Sequence, residues 1–245
     1  MQGEKYMIET INLTKKYKDV IAVDNLNLSI KQGELFSLLG VNGAGKSTTI
    51  KMLSCLIKPT SGKAFIDGYD IDKQDLQIKN IIGVCPQESG VALNLSVKDN
   101  LKLICEIYGF NKEKTSIKIN ELANQFDLTS VINKKVSKLS GGYKRRLSIA
   151  MALISEPKIL FLDEPTLGLD VISRSELWDI ITKLKGKITI ILTTHYMEEA
   201  QVLSDKIAIM KNGRMLVVDT PNNIMALTNT NTVENAFISI VKGEL

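Results

Sequence analysis

The sequence predicts an α/β protein with a parallel sheet core, a small antiparallel sheet near its start and a helical insertion in its middle. Residues 7–13 and 22–30 alternate polar and apolar side chains, which is typical of half-buried antiparallel strands. Residues 159–162 and 188–192 form uninterrupted apolar runs, which is typical of strands buried in a parallel sheet. Between these groups, about residues 96–155, apolar side chains recur at helical spacing.

Shorter patterns place the other elements. In chain order they are an alternating strand over 35–39, a helix from residue 49, an alternating strand over 63–67, a short buried strand over 81–84 and a helix over 174–185. Residues 206–210 and 214–218 flank Asn212-Gly213, and Asn-Gly between apolar runs is a strong signal of a β-hairpin. The strand at 35–39 is grouped here with the half-buried antiparallel strands, although the apolar run 34–39 that contains it also predicts a buried strand.

Composition and charge narrow the class of protein. Among 245 residues, 31 are basic and 27 acidic, and 44% are hydrophobic, so the chain can bury a full core. Its densest basic runs, Lys15-Lys16 and Lys144-Arg145-Arg146, are short, which favours a solvated surface over a dedicated nucleic-acid stripe. Cys55, Cys85 and Cys105 lie far apart in apolar sequence, so we expect core thiols in a reducing compartment. No run reaches the roughly 18 apolar residues of a membrane span.

A glycine-rich loop separates the apolar run 34–39 from the helix predicted at residue 49. It runs Gly40-Val41-Asn42-Gly43-Ala44-Gly45-Lys46-Ser47-Thr48 and fits G-x-x-x-x-G-K-[ST] at every position. Its glycines let successive backbone N–H groups point at a phosphate chain, and the helix adds the positive end of its dipole. Lys46 can then reach the β- and γ-phosphates, and the Ser47 hydroxyl can coordinate Mg²⁺. The loop therefore predicts a site for a nucleoside triphosphate.

Two adjacent carboxylates follow the buried run 159–162. Asp163 and Glu164 should lie at the carboxyl edge of the parallel sheet, where such sheets bind ligands. We expect Asp163 to hold Mg²⁺, directly or through water, and Glu164 to orient and deprotonate an attacking water. Considered alone, the pair could also be two solvated acids at a strand end. The loop at 40–48 favours the metal and base roles.

The segment Leu139-Ser140-Gly141-Gly142-Tyr143 opens a predicted helix. Ser140 is a good N-cap, so a plain capped helix is one interpretation. However, consecutive glycines cost helix stability, and Lys144-Arg145-Arg146 places three cations near the positive end of the dipole. Cations are unfavourable there unless an anion lies close. Glycine N–H groups, a serine hydroxyl and local positive charge therefore predict a phosphate receptor.

In order and spacing, these motifs resemble those of ATP-binding-cassette (ABC) ATPases. The segment from Leu139 to Tyr143 is similar to the family's signature sequence, and the resemblance covers about residues 7–228. Four further matches are Tyr17 with the aromatic that stacks on adenine, Gln87 with the hinge-loop glutamine, Leu167-Gly168-Leu169-Asp170 with the D-loop and His195 with the switch histidine. Many members have glutamine where this chain has Tyr143.

The resemblance implies a fold, a site and its cofactors. The fold is that of a P-loop NTPase of the ABC type, with a RecA-like parallel core, an N-terminal antiparallel β-subdomain and a helical subdomain at about 96–155. The domain would span 7–228, followed by a short tail, 229–245. The implied ATP-binding residues are Tyr17 and residues 40–48. Mg²⁺ would be bound by Ser47, Gln87 and Asp163, and catalysis would involve Lys46, Gln87, Glu164 and His195. In trans, the ATP of a partner chain would be bound by Ser140, Gly141 and Gly142.

The resemblance also implies partners. The signature of a second chain would close over the ATP of the first, which gives a head-to-tail homodimer or a pair of related ABC subunits. Tyr143 and Leu167-Gly168 are similar to the drug- and polyketide-exporter branch, whose polytopic membrane permeases are separate chains. We expect an energising subunit at the cytoplasmic face of the membrane, bound through such a permease, with no nucleic-acid partner. Two other outputs stay open: a soluble ABC ATPase of nucleic-acid repair or translation, and an ATP-binding scaffold without turnover.

Overall fold

Ten strands and nine α-helices lie in the described part of the chain, residues 6–88 and 90–243 of a computed structural model. The strands are β1 (Tyr6–Tyr17), β2 (Val20–Lys31), β3 (Leu35–Leu39), β4 (Ser61–Ile66), β5 (Tyr69–Asp70), β6 (Ile82–Cys85), β7 (Ile159–Asp163), β8 (Thr189–Thr194), β9 (Lys206–Lys211) and β10 (Arg214–Asp219). The helices are α1 (Lys46–Leu53), α2 (Asp75–Lys79), α3 (Val97–Ile107), α4 (Lys112–Gln125), α5 (Gly141–Ala152), α6 (Val171–Leu184), α7 (Met197–Leu203), α8 (Pro221–Leu227) and α9 (Val233–Lys242).

The strands form two sheets, as the sequence predicts. One is antiparallel, in the order β2-β1-β4-β5. The other has the order β10-β9-β3-β8-β7-β6, in which every neighbouring pair is parallel except the hairpin of β9 and β10. Asn212 and Gly213 both have positive φ, 49° and 78°, as the predicted tight hairpin turn requires. The two-sheet α/β prediction is confirmed.

Strand β3 corrects one detail of that prediction. Residues 35–39 were grouped with the half-buried antiparallel strands, but β3 is a central strand of the larger sheet, parallel to β8 and β9. All five of its residues are buried, as the apolar run 34–39 predicts. Ser37 made the pattern look alternating. Its hydroxyl is buried and lies 2.5 Å from that of Ser204, so the polar position faces a partner and not solvent.

Helices α3, α4 and α5 make up the predicted helical insertion. Their buried side chains join those of β7, β8 and α6 in one hydrophobic cluster. A second cluster lies between the antiparallel sheet, α1 and the other face of the parallel strands. The loop from β3 to α1 and the carboxyl ends of β7 and β8 therefore sit where the two layers meet. This arrangement fixes the position of the candidate site.

The C-terminal segment forms structure that the sequence did not predict. Helix α9 buries Val233, Ala236, Phe237 and Ile240 against α7, α8 and β9. The part of the expected tail up to residue 243 is therefore packed on the domain, and residues 244–245 lie outside the described residues. Helices α2, α7 and α8 and strand β5 were also missed.

Two expectations about composition can be compared with the structure. All three cysteines are free thiols; two are buried, and Cys55 is half-buried. Within the described residues, no helix has both the length and the apolar character to cross a membrane.

Candidate active site

The phosphate loop joins β3 to α1, the context that its pattern requires. Gly45 has a φ of 106°, and an added Cβ would lie 2.5 Å from the carbonyl oxygen of Ala22 in β2. At Gly40, an added Cβ would lie 2.6 Å from the carbonyl oxygen of Met210 in β9. Since a Cβ cannot approach backbone oxygens this closely, both positions need glycine. The loop is held between the two sheets.

Lys46 begins α1, and its ammonium group turns back into the loop. The residue is only 5% exposed. Its Nζ donates to the carbonyl oxygens of Gly40 at 2.8 Å and Val41 at 3.3 Å, and lies 3.3 Å from Glu164 Oε1. A buried ammonium group is costly unless such partners surround it. This group is therefore held at the centre of the loop, where a phosphate would meet it.

Asp163 ends β7 beside the start of α1. Its Oδ1 accepts hydrogen bonds from Ser47 Oγ at 3.0 Å and from the hydroxyl of Thr193 on β8. Carboxylate and hydroxyl oxygens are the ligands that Mg²⁺ prefers. Within the described residues, no group of three His, Cys, Asp or Glu could form a metal cage. A metal ion here would take only some of its ligands from the protein and the others from water and phosphate oxygens, as Mg²⁺ typically does.

Glu164 sits in a constrained turn just after β7. Its φ is 49°, and its N–H is bonded to the carbonyl oxygen of Thr193 at 3.1 Å and to the hydroxyl of the same residue at 3.0 Å. Its Oε2 lies 2.7 Å from His195 Nδ1, while Oε1 faces Lys46. The carboxylate is thus 94% buried between two nitrogen groups, and the backbone fixes its direction.

Lys46, Ser47, Glu164 and His195 border one cleft of about 770 Å³, whereas Asp163 and the first two loop residues, Gly40 and Val41, do not line it. The cleft is lined by Tyr17, Val20, Ile21, Ala22, Asn42, Gly43, Ala44, Gly45, Lys46, Ser47, Thr48, Gln87, Glu164, Leu167, His195 and Asn212. Tyr17 is 45% exposed, beside the exposed side chains of Val20 and Ile21. The predicted loop, the hinge-loop glutamine, the acid and the histidine therefore come together with an aromatic ring nearby.

The signature residues do not line this cleft. Ser140 precedes α5 with extended dihedrals, φ −64° and ψ 165°, but its side chain accepts no capping hydrogen bond. Five other helices have N-caps whose side chains do accept one: Ser96, Asn111, Asp170, Thr220 and Thr232. The interpretation of α5 as a plain helix capped by the Ser140 side chain is therefore wrong, because Ser140 holds the N-cap position without making the capping hydrogen bond. The start of α5 keeps capping capacity that a ligand could use.

The charge argument for this helix needs a correction. We expected Lys144-Arg145-Arg146 to require a nearby anion, but Arg146 pairs with the carboxylates of Glu176 and Asp127. Arg145 turns inward and donates to main-chain carbonyl oxygens. These two cations therefore have partners within the chain, and the helix N-terminus itself remains the argument for a phosphate receptor.

Sequence reasoning missed Thr193, which organises the site. Its hydroxyl donates to Asp163 and accepts from the N–H of Glu164, so one side chain holds both acids. The signal was present as a polar residue at the carboxyl end of the buried β8, two positions before His195.

Comparison with known proteins identifies the family. The sequence profile of the ABC transporter family matches residues 23–167, more than half of the chain. The chain belongs to the ABC transporter family. Two solved ABC proteins share its fold. The structure of an ATP-binding subunit of an ABC transporter superposes with a TM-score of 0.84 at 26% identity, over 96% of this chain and 99% of that one. The cassette MJ0796, a dimer bound to ADP and Pi, gives 0.78 at 29% identity, over 87% and 98%.

Curated relatives of this ABC cassette include transport proteins. It is 38% identical over 241 residues to YbhF of Escherichia coli, a probable multidrug ABC transporter ATP-binding protein, and 36% identical over 230 residues to the daunorubicin resistance protein DrrA2 of Streptomyces coeruleorubidus. Human ABCA3, a phospholipid-transporting ATPase, is 43% identical over 198 residues. The alignment with YbhF covers 96% of this chain and 42% of YbhF. The corresponding shares are 94% and 71% for DrrA2, and 81% and 12% for ABCA3. The predicted resemblance to the exporter branch is confirmed.

Proposed function

We propose that this ABC cassette binds ATP with Mg²⁺ in the 770 Å³ cleft and hydrolyses it. The observation that carries the proposal is the contact of Glu164 with both Lys46 and His195 at the phosphate loop. Loop N–H groups and the N-terminus of α1 would bind the phosphates, and the exposed ring of Tyr17 would stack on the adenine. The ring of Tyr17 would thus face the adenine, Lys46 would face the phosphates, and Glu164 would lie beside the terminal phosphate.

The oxygen donors around Asp163 fit a magnesium site. Ser47 and Asp163 would hold the ion, with Gln87 supplying an amide oxygen from the hinge loop that borders the same cleft. Bound Mg²⁺ would neutralise charge that develops on the transferred phosphoryl group. Thr193 keeps Asp163 in place through its hydroxyl.

Glu164 is the group that we assign as general base. Its carboxylate can accept a proton from water, and its backbone turn directs it into the cleft. Lys46 would turn towards the phosphates when they are present, because they carry more negative charge than the loop carbonyls. His195 would then remain to orient the carboxylate.

A second chain would complete the site. Ser140, Gly141 and Gly142 present an uncapped helix N-terminus outside the cleft of their own chain. Gly141 lies beside Leu169 of the D-loop and Gly142 beside Ser173 of α6. Exposed apolar side chains lie within two residues of Leu169 or Ser173 in the sequence: Leu167 at 42%, Val171 at 73% and Ile172 at 71%. The related cassette MJ0796 is a dimer with nucleotide and phosphate. These features support a head-to-tail pair in which each signature closes on the partner's ATP.

The output that we propose is export through a separate membrane permease. An apolar groove of about 450 Å³ lies where the hinge loop meets α3 and α5 and is lined by Leu56, Pro86, Ile104, Ile107 and Tyr108 among others. Leu56, Ile107 and Tyr108 are 63%, 69% and 46% exposed in this groove, and clustered exposed apolar side chains are typical of an interaction surface. The names of YbhF and DrrA2 support an export role. The subunit would then sit at the cytoplasmic face of the membrane, held by the permease.

Two measurements on the purified chain test this function. ATP turnover should require added Mg²⁺ and should stop on chelation. Ile107→Asp should keep this turnover and abolish co-purification with a polytopic permease encoded beside the gene, whereas Leu227→Asp, which alters an exposed leucine on α8, should keep both. Turnover stimulated by nucleic acid, with no binding to any permease, would instead support the soluble-ATPase alternative.

A further inference from the structure

Arg145 lies about one turn into α5, the signature helix, and is only 4% exposed. Its guanidinium group donates four hydrogen bonds. Nε donates to Pro165 O at 2.7 Å, Nη2 to Asp163 O at 2.7 Å, and Nη1 to Pro86 O at 2.6 Å and Gln87 O at 3.3 Å. All four acceptors are main-chain carbonyl oxygens. None of these bonds is explained by the roles assigned above.

The four carbonyls belong to two segments that carry proposed site residues. Pro86 and Gln87 begin the hinge loop after β6, and the carbonyls of Asp163 and Pro165 stand on either side of Glu164. A guanidinium group presents several donors in a rigid planar fork, so it can fix several acceptors at once. The side chains of Gln87 and Glu164 face the cleft while Arg145 holds the backbone beside them.

Burial of this cation points to a mechanical role. A charged group inside a protein is costly, and here the compensation comes from neutral carbonyls. Helix α5 has a second contact with the same region, because Cys85 Sγ at the end of β6 lies 3.2 Å from Ser148 Oγ. The N-terminus of α5, the hinge loop and the turn of Glu164 are therefore joined by the side chains of one helix.

We propose that Arg145 is a positioning residue that makes the signature helix, Gln87 and Glu164 move as one unit. The inference rests on the proposed function, in which the N-terminus of α5 closes on a partner's ATP. A shift of α5 on closure would then carry the hinge-loop glutamine and the general base of its own chain with it. Lys46 and Ser47, which bind the phosphates, make none of these four bonds.

Arg145→Gln tests the idea, because it removes the fork and leaves four buried acceptors to share one amide. We expect kcat to fall by about 10- to 100-fold, the usual effect of displacing a catalytic group by about 1 Å, while the Kd for ATP stays within about threefold. Hydrogen exchange at the buried amide of Glu164, which is bonded to the carbonyl and hydroxyl oxygens of Thr193, should accelerate by at least about tenfold, with exchange in β3 unchanged.

Two further variants make the result specific. Arg145→Lys keeps the charge and one donor group, so its kcat and its exchange rate at Glu164 should lie between those of wild type and Arg145→Gln. Lys183→Gln removes an exposed positive charge from α6 and leaves the four carbonyl bonds intact, so it should behave like wild type. If Arg145→Gln does not fold, the lysine variant carries the test by the same readouts.

Three outcomes would overturn the proposal. They are kcat of folded Arg145→Gln within twofold of wild type (or of Arg145→Lys, if the glutamine variant does not fold), exchange at Glu164 that is unchanged, and exchange that rises equally over the whole chain. The last would show a role in general stability only. A wild-type chain without ATP turnover would refute the proposed function, and the exchange data would still decide whether Arg145 holds the turn of Glu164.

Discussion

Replacing Glu164 with glutamine keeps the shape of the side chain and removes its charge and basicity. In the structure the carboxylate is 6% exposed, and it is shared by Lys46 Nζ at 3.3 Å and His195 Nδ1 at 2.7 Å. A glutamine retains one oxygen acceptor for these nitrogen groups, but its amide cannot take a proton from water. We therefore expect Glu164→Gln to fold and to bind ATP without activating water.

The expected loss is that of a general base, about 10² to 10⁴ in turnover, or about 3 to 5 kcal/mol of transition-state stabilisation. ATP affinity should be unchanged or higher, because the substitution removes a buried negative charge beside the phosphates and frees Lys46 from its carboxylate partner. With binding intact and hydrolysis blocked, two chains should remain closed around ATP as a stable dimer.

Phosphate release, calorimetry and light scattering measure these three effects. Glu198→Gln is the matched control, because Glu198 is an exposed carboxylate at the start of α7. The control should hydrolyse ATP at the wild-type rate and should show no trapped dimer. Turnover of Glu164→Gln within tenfold of wild type would remove Glu164 from the role of base.

Three other predictions test the loop, the C-terminal helix and a thiol. Lys46→Ala should abolish tight ATP binding by calorimetry, whereas Lys51→Ala, on the exposed face of α1, should not; equal affinities would refute the loop assignment. Phe237→Ala should lower the free energy of unfolding in urea by about 3–5 kcal/mol, while Ile238→Ala, which is 41% exposed, should change it by less than about 1 kcal/mol; similar losses would contradict the packing of α9. Burial raises the pKa of Cys55 to about 11. Because maleimide reacts with the thiolate, the labelling rate of Cys55 should rise about tenfold per pH unit between pH 8 and 10. A plateau of this rate near pH 9 would contradict the raised pKa.

Patterns with a direct physical cause could be predicted from the sequence. The loop at 40–48 was identifiable because only glycine permits its backbone approaches, and the structure shows such approaches at Gly40 and Gly45. Buried parallel strands such as β7 were identifiable because both faces are covered, so every side chain is apolar until Asp163. The hairpin at Asn212-Gly213 was identifiable from its turn chemistry.

Features that depend on tertiary partners could not be predicted in this way. Ser37 gave β3 an alternating pattern, since its partner Ser204 is distant in sequence. Arg145 was taken for a surface cation because its four acceptors are backbone atoms, which leave no trace in a sequence. Helix α9 was missed for a similar reason, because its apolar face becomes meaningful only beside α7 and α8.

Mixing two defective chains tests most directly the claim that each ATP site is shared. Ser140→Arg should block the receptor end of α5, and Lys46→Ala should disable the phosphate loop. If the signature serves the partner's ATP, the mixture forms heterodimers with one complete site and recovers ATPase activity that neither variant shows alone. No recovery at any ratio, with exchange between chains confirmed independently, would contradict independent shared sites. Normal hydrolysis by Ser140→Arg as a proven monomer would refute sharing outright.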